Sequence, residues 1–254
     1  MRMRAHGDPA VFDAVIVDEA QDLTRVGLEF VAAIDGERED GPLLLGDGQQ
    51  SLYPGGHSLR SVGIDVRGRA AILRLNYRNT REILLAADRI VAGRPFDDGD
   101  DELQHANPSL RLDMARRGPA PVVSSFGTRD DHDEALTLAI SDLSSRSDTD
   151  LGDIAVLVPQ QPACYAIAFG GLGLACRTLD KYDGTPSSEE KVGTFKHAKG
   201  LEFKHVLLPR AEPGVLYDAA FSGEDGPTPE ERLDRTRREL FVAMTRARDT
   251  LWVG

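Results

Sequence analysis

Two adjacent carboxylates, Asp18 and Glu19, follow directly on the apolar run Val15-Ile16-Val17, an order of residue types suited to metal-assisted hydrolysis. An aspartate at a strand end can hold Mg²⁺ through one oxygen while water and phosphate complete the shell, and a neighbouring glutamate can orient or deprotonate a water. A second polar stretch, Gly46-Asp47-Gly48-Gln49-Gln50-Ser51-Leu52-Tyr53, comes after Leu43-Leu44-Leu45. Its glycines permit close approach of the backbone to a ligand, and a Gln amide can donate to a phosphate oxygen while accepting from an attacking water. Positive charge gathers in three places: Arg74, Arg78 and Arg81; Lys196, His197 and Lys199; and five arginines between Arg235 and Arg248. Taken singly, each feature has a plainer reading. An Asp-Glu pair most often begins a turn, and an outward arginine on a helix is usually a solvated surface group, the role assigned to Arg235 and Arg237.

These residues need elements to hold them. Val15 to Val17, three apolar β-formers in a row, reads as a buried parallel strand, and ligands in open α/β sheets bind beyond the carboxyl ends of such strands. Thr24 or Asp22 caps a helix with Leu23, Val26, Phe30, Val31 and Ile34 at helical spacing and Gly36 as its stop. Leu43 to Leu45 and Ala71 to Leu75 read as further strands. Asn79 and Glu82 have capping-box spacing for a helix bearing Ile83, Leu84, Ala87, Ile90 and Val91, closed by Gly93. Residues 95–121 lack sustained periodicity and read as a surface connection. Strands and helices then alternate: Val122 to Phe126, a helix from Asp131 to Ser144, Ile154 to Val158, a helix from Gln160 to Phe169, Leu174 to Leu179, Val192 to Phe195 and His205 to Pro209. Thr228-Pro229-Glu230-Glu231 opens a last helix, with Leu233, Leu240, Phe241 and Met244 facing inward, before the strand Leu251 to Val253. Such alternation predicts a mostly parallel sheet with right-handed crossovers.

The 254 residues carry a formal charge of −12, which argues against a generally basic nucleic-acid binder and leaves phosphate binding to the local clusters. Cys164 and Cys176 are the only cysteines and lack metal-binding spacing, so they read as small buried hydrophobes. The N-terminal residues lack a signal-peptide core and no apolar run reaches membrane-spanning length. A cytoplasmic protein with no membrane association is expected.

Six stretches stand in one order at strand or helix ends: Asp18 to Gln21, Gly46 to Tyr53, Asn76-Tyr77-Arg78, Asp153 to Leu157, Thr194 to Phe203, and Val242-Ala243-Met244-Thr245-Arg246-Ala247. The series resembles superfamily 1 DNA helicases of the UvrD/Rep/PcrA type, from their Walker B motif to their last arginine motif. The resemblance implies an α/β fold of RecA-like lobes, residues 1–69 forming the C-terminal part of the first and residues 70–254 the whole of the second. It places ATP in the cleft between the lobes and single-stranded or partly duplex DNA across the top. Position by position it implies that Asp18 ligates Mg²⁺, Glu19 activates the hydrolytic water and Gln50 senses the γ-phosphate. Tyr77 would stack on adenine, Arg78 and Arg246 would contact the γ-phosphate, and Glu202 would approach the ribose. Tyr53, Thr194 and Lys196 are the positions implied for DNA contact.

The sequence departs from that pattern in four ways. Neither Gly-Lys-Ser nor Gly-Lys-Thr occurs, so the Walker A loop that cradles phosphates is missing, and only about 14 residues precede the first strand. Pro54-Gly55-Gly56-His57 stands where the family carries Gly-Trp-Arg-Gly, and Lys196 replaces a histidine. Little sequence separates Leu179 from Thr194, so a large inserted subdomain is not expected. The sequence therefore reads as the C-terminal portion of a helicase or translocase, 3′ to 5′ by resemblance, hydrolysing little ATP by itself and relying on an N-terminal helicase region or a partner subunit. A partial first lobe would leave apolar surface exposed near Val15 to Val17 and Leu43 to Leu45 and favour self-association. The alternative reading is a catalytically degenerate module that binds DNA or protein. A nuclease built on Asp18, Glu19 and Asp47 gains little, because two-metal chemistry needs more converging carboxylates.

Overall fold

A computed structural model describes residues 12–35, 41–46, 59–64, 66, 68, 69, 71, 76–92, 116–160, 165, 169, 173, 175–212 and 228–254. Contacts divide the chain into two compact units, Met1–Leu73 with Gly93–Asn107 and Arg74–Ala92 with Pro108–Gly254. The strand from Ala71 to Leu75, the helix from Gln160 to Phe169 and the stretch from Asp47 to His57, with Gln50 and Tyr53, fall largely or wholly outside the described residues.

In the first unit, strands β1 (Ile16–Val17) and β2 (Leu43–Leu44) pair in parallel, joined through helix α1 (Arg25–Asp35). The Thr24 hydroxyl accepts from Gly27 N at 3.2 Å and so caps α1, as its position predicts. The parallel pairing is as expected but the burial is not. Ile16 is 65% exposed and Leu43 55%, because two short strands bury little of each other's apolar surface. Apolar surface is thus open near Ile16 and Leu43, where such exposure was expected. On α1 the residues that pack inward are Leu28 and Val31, whereas Val26 and Phe30, expected on the inner side, are exposed.

The second unit is a six-stranded sheet in the order β3-β8-β7-β4-β6-β5, parallel at every pairing. Its strands are β3 (Val122–Val123), β4 (Ile154–Val158), β5 (Cys176–Thr178), β6 (Glu190–Thr194), β7 (Phe203–Leu208) and β8 (Ala247–Val253). Helices α2 (Arg81–Val91), α3 (Arg129–Ser144) and α4 (Pro229–Thr245) accompany them. All five residues of β4 are buried, as a continuous Ile-Ala-Val-Leu-Val run requires of a central strand. Leu136, Ile140 and Leu143 of α3 pack on Ile154, Val156, Val192 and Leu207 of the sheet. Helix α4 starts where Thr228 accepts from Glu231 N while the Glu231 carboxylate accepts from Thr228 N, the reciprocal box its sequence predicts.

His205 and Glu190 are among the polar groups buried in this unit. His205 bridges the Thr149 hydroxyl at 3.0 Å and the Thr250 hydroxyl at 2.8 Å, and burial holds its imidazole below the usual histidine range. Glu190 is fully buried, and burial pushes its carboxyl up to about 7, opposed by a contact with the Cys176 thiol. Cys176 is itself only half-buried rather than a core hydrophobe, and burial together with Glu190 pushes its thiol up to about 12.

Candidate functional site

The Asn76-Tyr77-Arg78-Asn79 stretch precedes α2 and is built around one side chain. Asn76 Oδ1 accepts from Arg78 N at 2.8 Å and from Asn79 N at 3.1 Å, an Asx turn that fixes the loop before the helix begins. Asn76 Nδ2 donates to Asn79 Oδ1 at 3.0 Å. Asn79 does not cap α2 as its spacing suggests; the cap is Thr80, whose hydroxyl accepts from Ile83 N at 3.5 Å. Glu82 likewise receives Gly118 N at 2.9 Å rather than closing a capping box, and that hydrogen bond, with the charge of Arg117, holds its carboxyl below the usual range. Asn79 is occupied elsewhere. Its Nδ2 donates to Thr245 O at 2.8 Å and to Ala247 O at 2.6 Å, the carbonyls on either side of Arg246.

Arg246 lies where α4 ends and β8 begins, 1% exposed. Its Nε donates to Val242 O at 3.0 Å, Nη1 to Leu201 O at 3.4 Å and Nη2 to the Thr245 hydroxyl at 3.4 Å. A permanently charged guanidinium buried in this way needs oxygens around its planar edge, and helix-end carbonyls lack partners within the helix. Its own carbonyl accepts from Phe203 N at 3.0 Å, so the arginine turn also fixes the start of β7.

Glu202, next to Leu201, points outward and meets Arg78, with Arg78 Nε 2.9 Å from Glu202 Oε2 and both side chains partly exposed. Tyr77, beside Arg78, is 67% exposed. The fold therefore brings Arg78 and Glu202 together and links Arg246 to both, through Asn79 on one side and Leu201 on the other. Arg116 strengthens the junction. Its Nη1 donates to Arg78 O at 2.6 Å and Arg248 O at 3.2 Å, and its Nη2 pairs with Asp249. Partial burial raises the Asp249 carboxyl, but Arg116 and Arg248 hold it below the usual range overall.

Thr194 and Lys196 lie at the other end of the same loop. The Thr194 hydroxyl accepts from His197 N at 3.3 Å, which tightens the turn after β6. Lys196 is exposed at 3.5 Å from Glu239 of α4, which also holds Arg235 at 3.0 Å. Gly200, with a φ of +77°, allows the chain to reverse before Glu202.

In the first unit, Asp18 and Glu19 occupy the turn after β1. Asp18 Oδ1 accepts from Glu19 N at 2.9 Å, and Glu19 itself has a φ of +52°, the left-handed region rarely used by a residue with a side chain. Gln21 Nε2 reaches Glu19 Oε2 at 2.5 Å, and Ala20 N donates to Leu45 O at 2.9 Å, which joins the turn to the end of β2. A Cβ at Gly46 would stand 2.5 Å from Gln21 Oε1, the far end of a flexible side chain that would have to swing aside. Among the described residues no group of three or more His, Cys, Asp or Glu side chains could enclose a metal. Asp18 alone fits an ion held through one carboxylate with water and phosphate completing its shell, the mode of Mg²⁺ rather than of Zn²⁺.

Sequence reasoning missed Asn79 and Arg116 as members of the site and gave Asn76, within its motif, no role of its own. One signal was available: Thr80 next to Asn79 is a second residue able to cap α2, which frees the asparagine for other work.

The second unit is thus an α/β unit, a parallel sheet with helices packed on it and with the Arg78 and Arg246 turns joined through Asn79. Residues 173–254 match the family model of the UvrD-like helicase C-terminal domain. A similar solved structure is the C-terminal domain of a possible DNA helicase from Lactobacillus plantarum WCFS1, at 17% identity and a TM-score of 0.45, covering 70% of this chain and 86% of that one. No curated protein gives a significant match. Among the described residues no helix is long and apolar enough to cross a membrane.

Proposed function

We propose that this chain is the arginine-bearing part of an ATP-dependent DNA helicase or translocase, moving 3′ to 5′ on single-stranded DNA, and that it turns over little ATP without a Walker A loop from elsewhere. The observation that carries the reading is the exposed Arg78–Glu202 pair, 2.9 Å apart, beside exposed Tyr77 and tied to the Arg246 turn. An exposed ion pair contributes only about 0–1 kcal/mol, so a phosphate oxygen can replace Glu202 on Arg78 at small cost. That exchange frees Glu202 for a ribose hydroxyl and leaves the Tyr77 ring open for stacking on adenine.

ATP, when bound, would provide the phosphoryl bond that is broken. Arg78 would place its fork against the γ-phosphate, where negative charge spreads over the oxygens in the transition state. Arg246 would join it after its guanidinium leaves Leu201 O and Val242 O. Asp18 would hold Mg²⁺, Glu19 would orient and deprotonate the attacking water, and Gln50 would report on the γ-phosphate. Tyr53, Thr194 and Lys196 would meet the DNA strand, Lys196 once it parts from Glu239. Cytoplasmic location and a role in DNA repair go with this reading.

The test has two parts. Fluorescence anisotropy with a labelled oligothymidine should show salt-sensitive binding that weakens several-fold in Lys196→Ala. A DNA-stimulated ATPase assay on the purified chain should show little turnover. Failure to bind the oligonucleotide would refute the DNA reading, and robust turnover would refute the dependence on an outside phosphate loop.

A further inference from the structure

Beyond the residues that would touch a nucleotide, we infer that Asn79 and Arg116 are positioning residues that hold the backbones of Arg78 and Arg246 in one fixed relation, from which both side chains reach. The inference rests on the nucleotide reading above. Asn79 is 2% exposed, and its single amide nitrogen serves two carbonyls at 2.8 and 2.6 Å. One carbonyl closes α4 and the other opens β8, so a side chain from the α2 loop caps the last turn of α4 from outside the helix. The remaining oxygen of the same amide accepts from Asn76, whose own oxygen fixes the Arg78 amide. Each step is a hydrogen bond with little freedom, and together they connect the Arg78 backbone to the Arg246 backbone through two side chains.

Arg116 makes a second connection at the same place. It donates to Arg78 O and to Arg248 O while paired with Asp249, so it also spans the Arg78 loop and the turn after Arg246. Only a side chain with two donors can satisfy both Thr245 O and Ala247 O. Aspartate at position 79 has the same shape and neither donor, and it would set a negative charge against two carbonyls. Such a change would let the arginines move independently, and it would matter most for a ligand that needs both of them at once.

The experiment uses fluorescent analogues of ATP and ADP bound to the full chain, with circular dichroism recorded on every protein. Wild type should bind the ATP analogue more tightly than the ADP analogue, and Arg78→Ala should remove the difference. Asn79→Asp and Asn79→Ala should lower affinity for the ATP analogue about tenfold, the scale of one lost buried hydrogen bond, with ADP affinity and helix content unchanged. Arg116→Gln, at a part-exposed position, should act in the same direction and serves if the Asn79 variants do not fold. Folded variants that keep the wild-type preference for ATP over ADP would overturn the inference. A wild-type chain with no such preference, or an Arg78→Ala variant that keeps it, would instead overturn the nucleotide reading, and the inference with it.

Discussion

Arg78 Nε stands 2.9 Å from Glu202 Oε2 with both side chains partly open to solvent, whereas Arg246, one bond network away, is buried against carbonyl oxygens. The two arginines are thus held in different states. The exposed one is balanced by a carboxylate that can be displaced, and the buried one has backbone oxygens around it.

Removing the displaceable carboxylate should strengthen anion binding. Glu202→Gln is expected to raise affinity for inorganic tripolyphosphate, which has no ribose for Glu202 to contact, by roughly two- to fivefold at low salt. The gain should fade as ionic strength rises. Isothermal titration over a salt series checks both, and an unchanged or weakened affinity would show that the pair does not gate access to Arg78.

The buried Glu190 makes stability depend on pH in a definite direction. Its folded carboxyl sits at about 7 against a usual 4.5, so between those values the folded state binds the extra proton. Stability is highest below the lower value, falls as pH rises through the window and levels off above about 7. The difference corresponds to roughly 3 kcal/mol. Urea unfolding at pH 5 and pH 8 should show wild type losing stability relative to Glu190→Gln at the higher pH. Equal shifts in the two proteins would place the titrating group elsewhere.

A steric prediction concerns the turn that leads into β4. A Cβ on Gly152 would fall 1.8 Å from Ser187 O, a backbone atom that cannot rotate away. Gly152→Ala should therefore cost at least about 2 kcal/mol, read as a lower denaturant midpoint at constant slope. Gly127, with open space around its Cβ position, is the control.

Much of the second unit was legible because single residue patterns dictate it. The continuous apolar run of β4 gives the strand limits Ile154–Val158 as read, and Thr228-Pro229 with Glu231 marks the start of α4. Strand ends set only by pairing were less legible. β3 stops at Val123 rather than Phe126, and β8 begins at Ala247 rather than Leu251, because partner strands decide where ladders begin and end. The exposure of Ile16 and Leu43 contradicts the rule that apolar runs are buried, since that rule assumes a full sheet around them. Arg246 and Asn79 were hardest to place. An arginine at a helix end and an asparagine before a helix have common local roles, and only a contact across 168 residues of sequence, Asn79 to Ala247, gives them others.

Under the proposed function Arg78 belongs to a site for the terminal phosphate of ATP. Isothermal titration of ATP and of ADP, each with Mg²⁺, into wild type and Arg78→Ala tests it most directly. Wild type should bind ATP more tightly than ADP, and the substitution should abolish that difference while ADP binding stays within about twofold. Equal affinities for the two nucleotides in wild type, or a preference for ATP that survives the loss of Arg78, would contradict it.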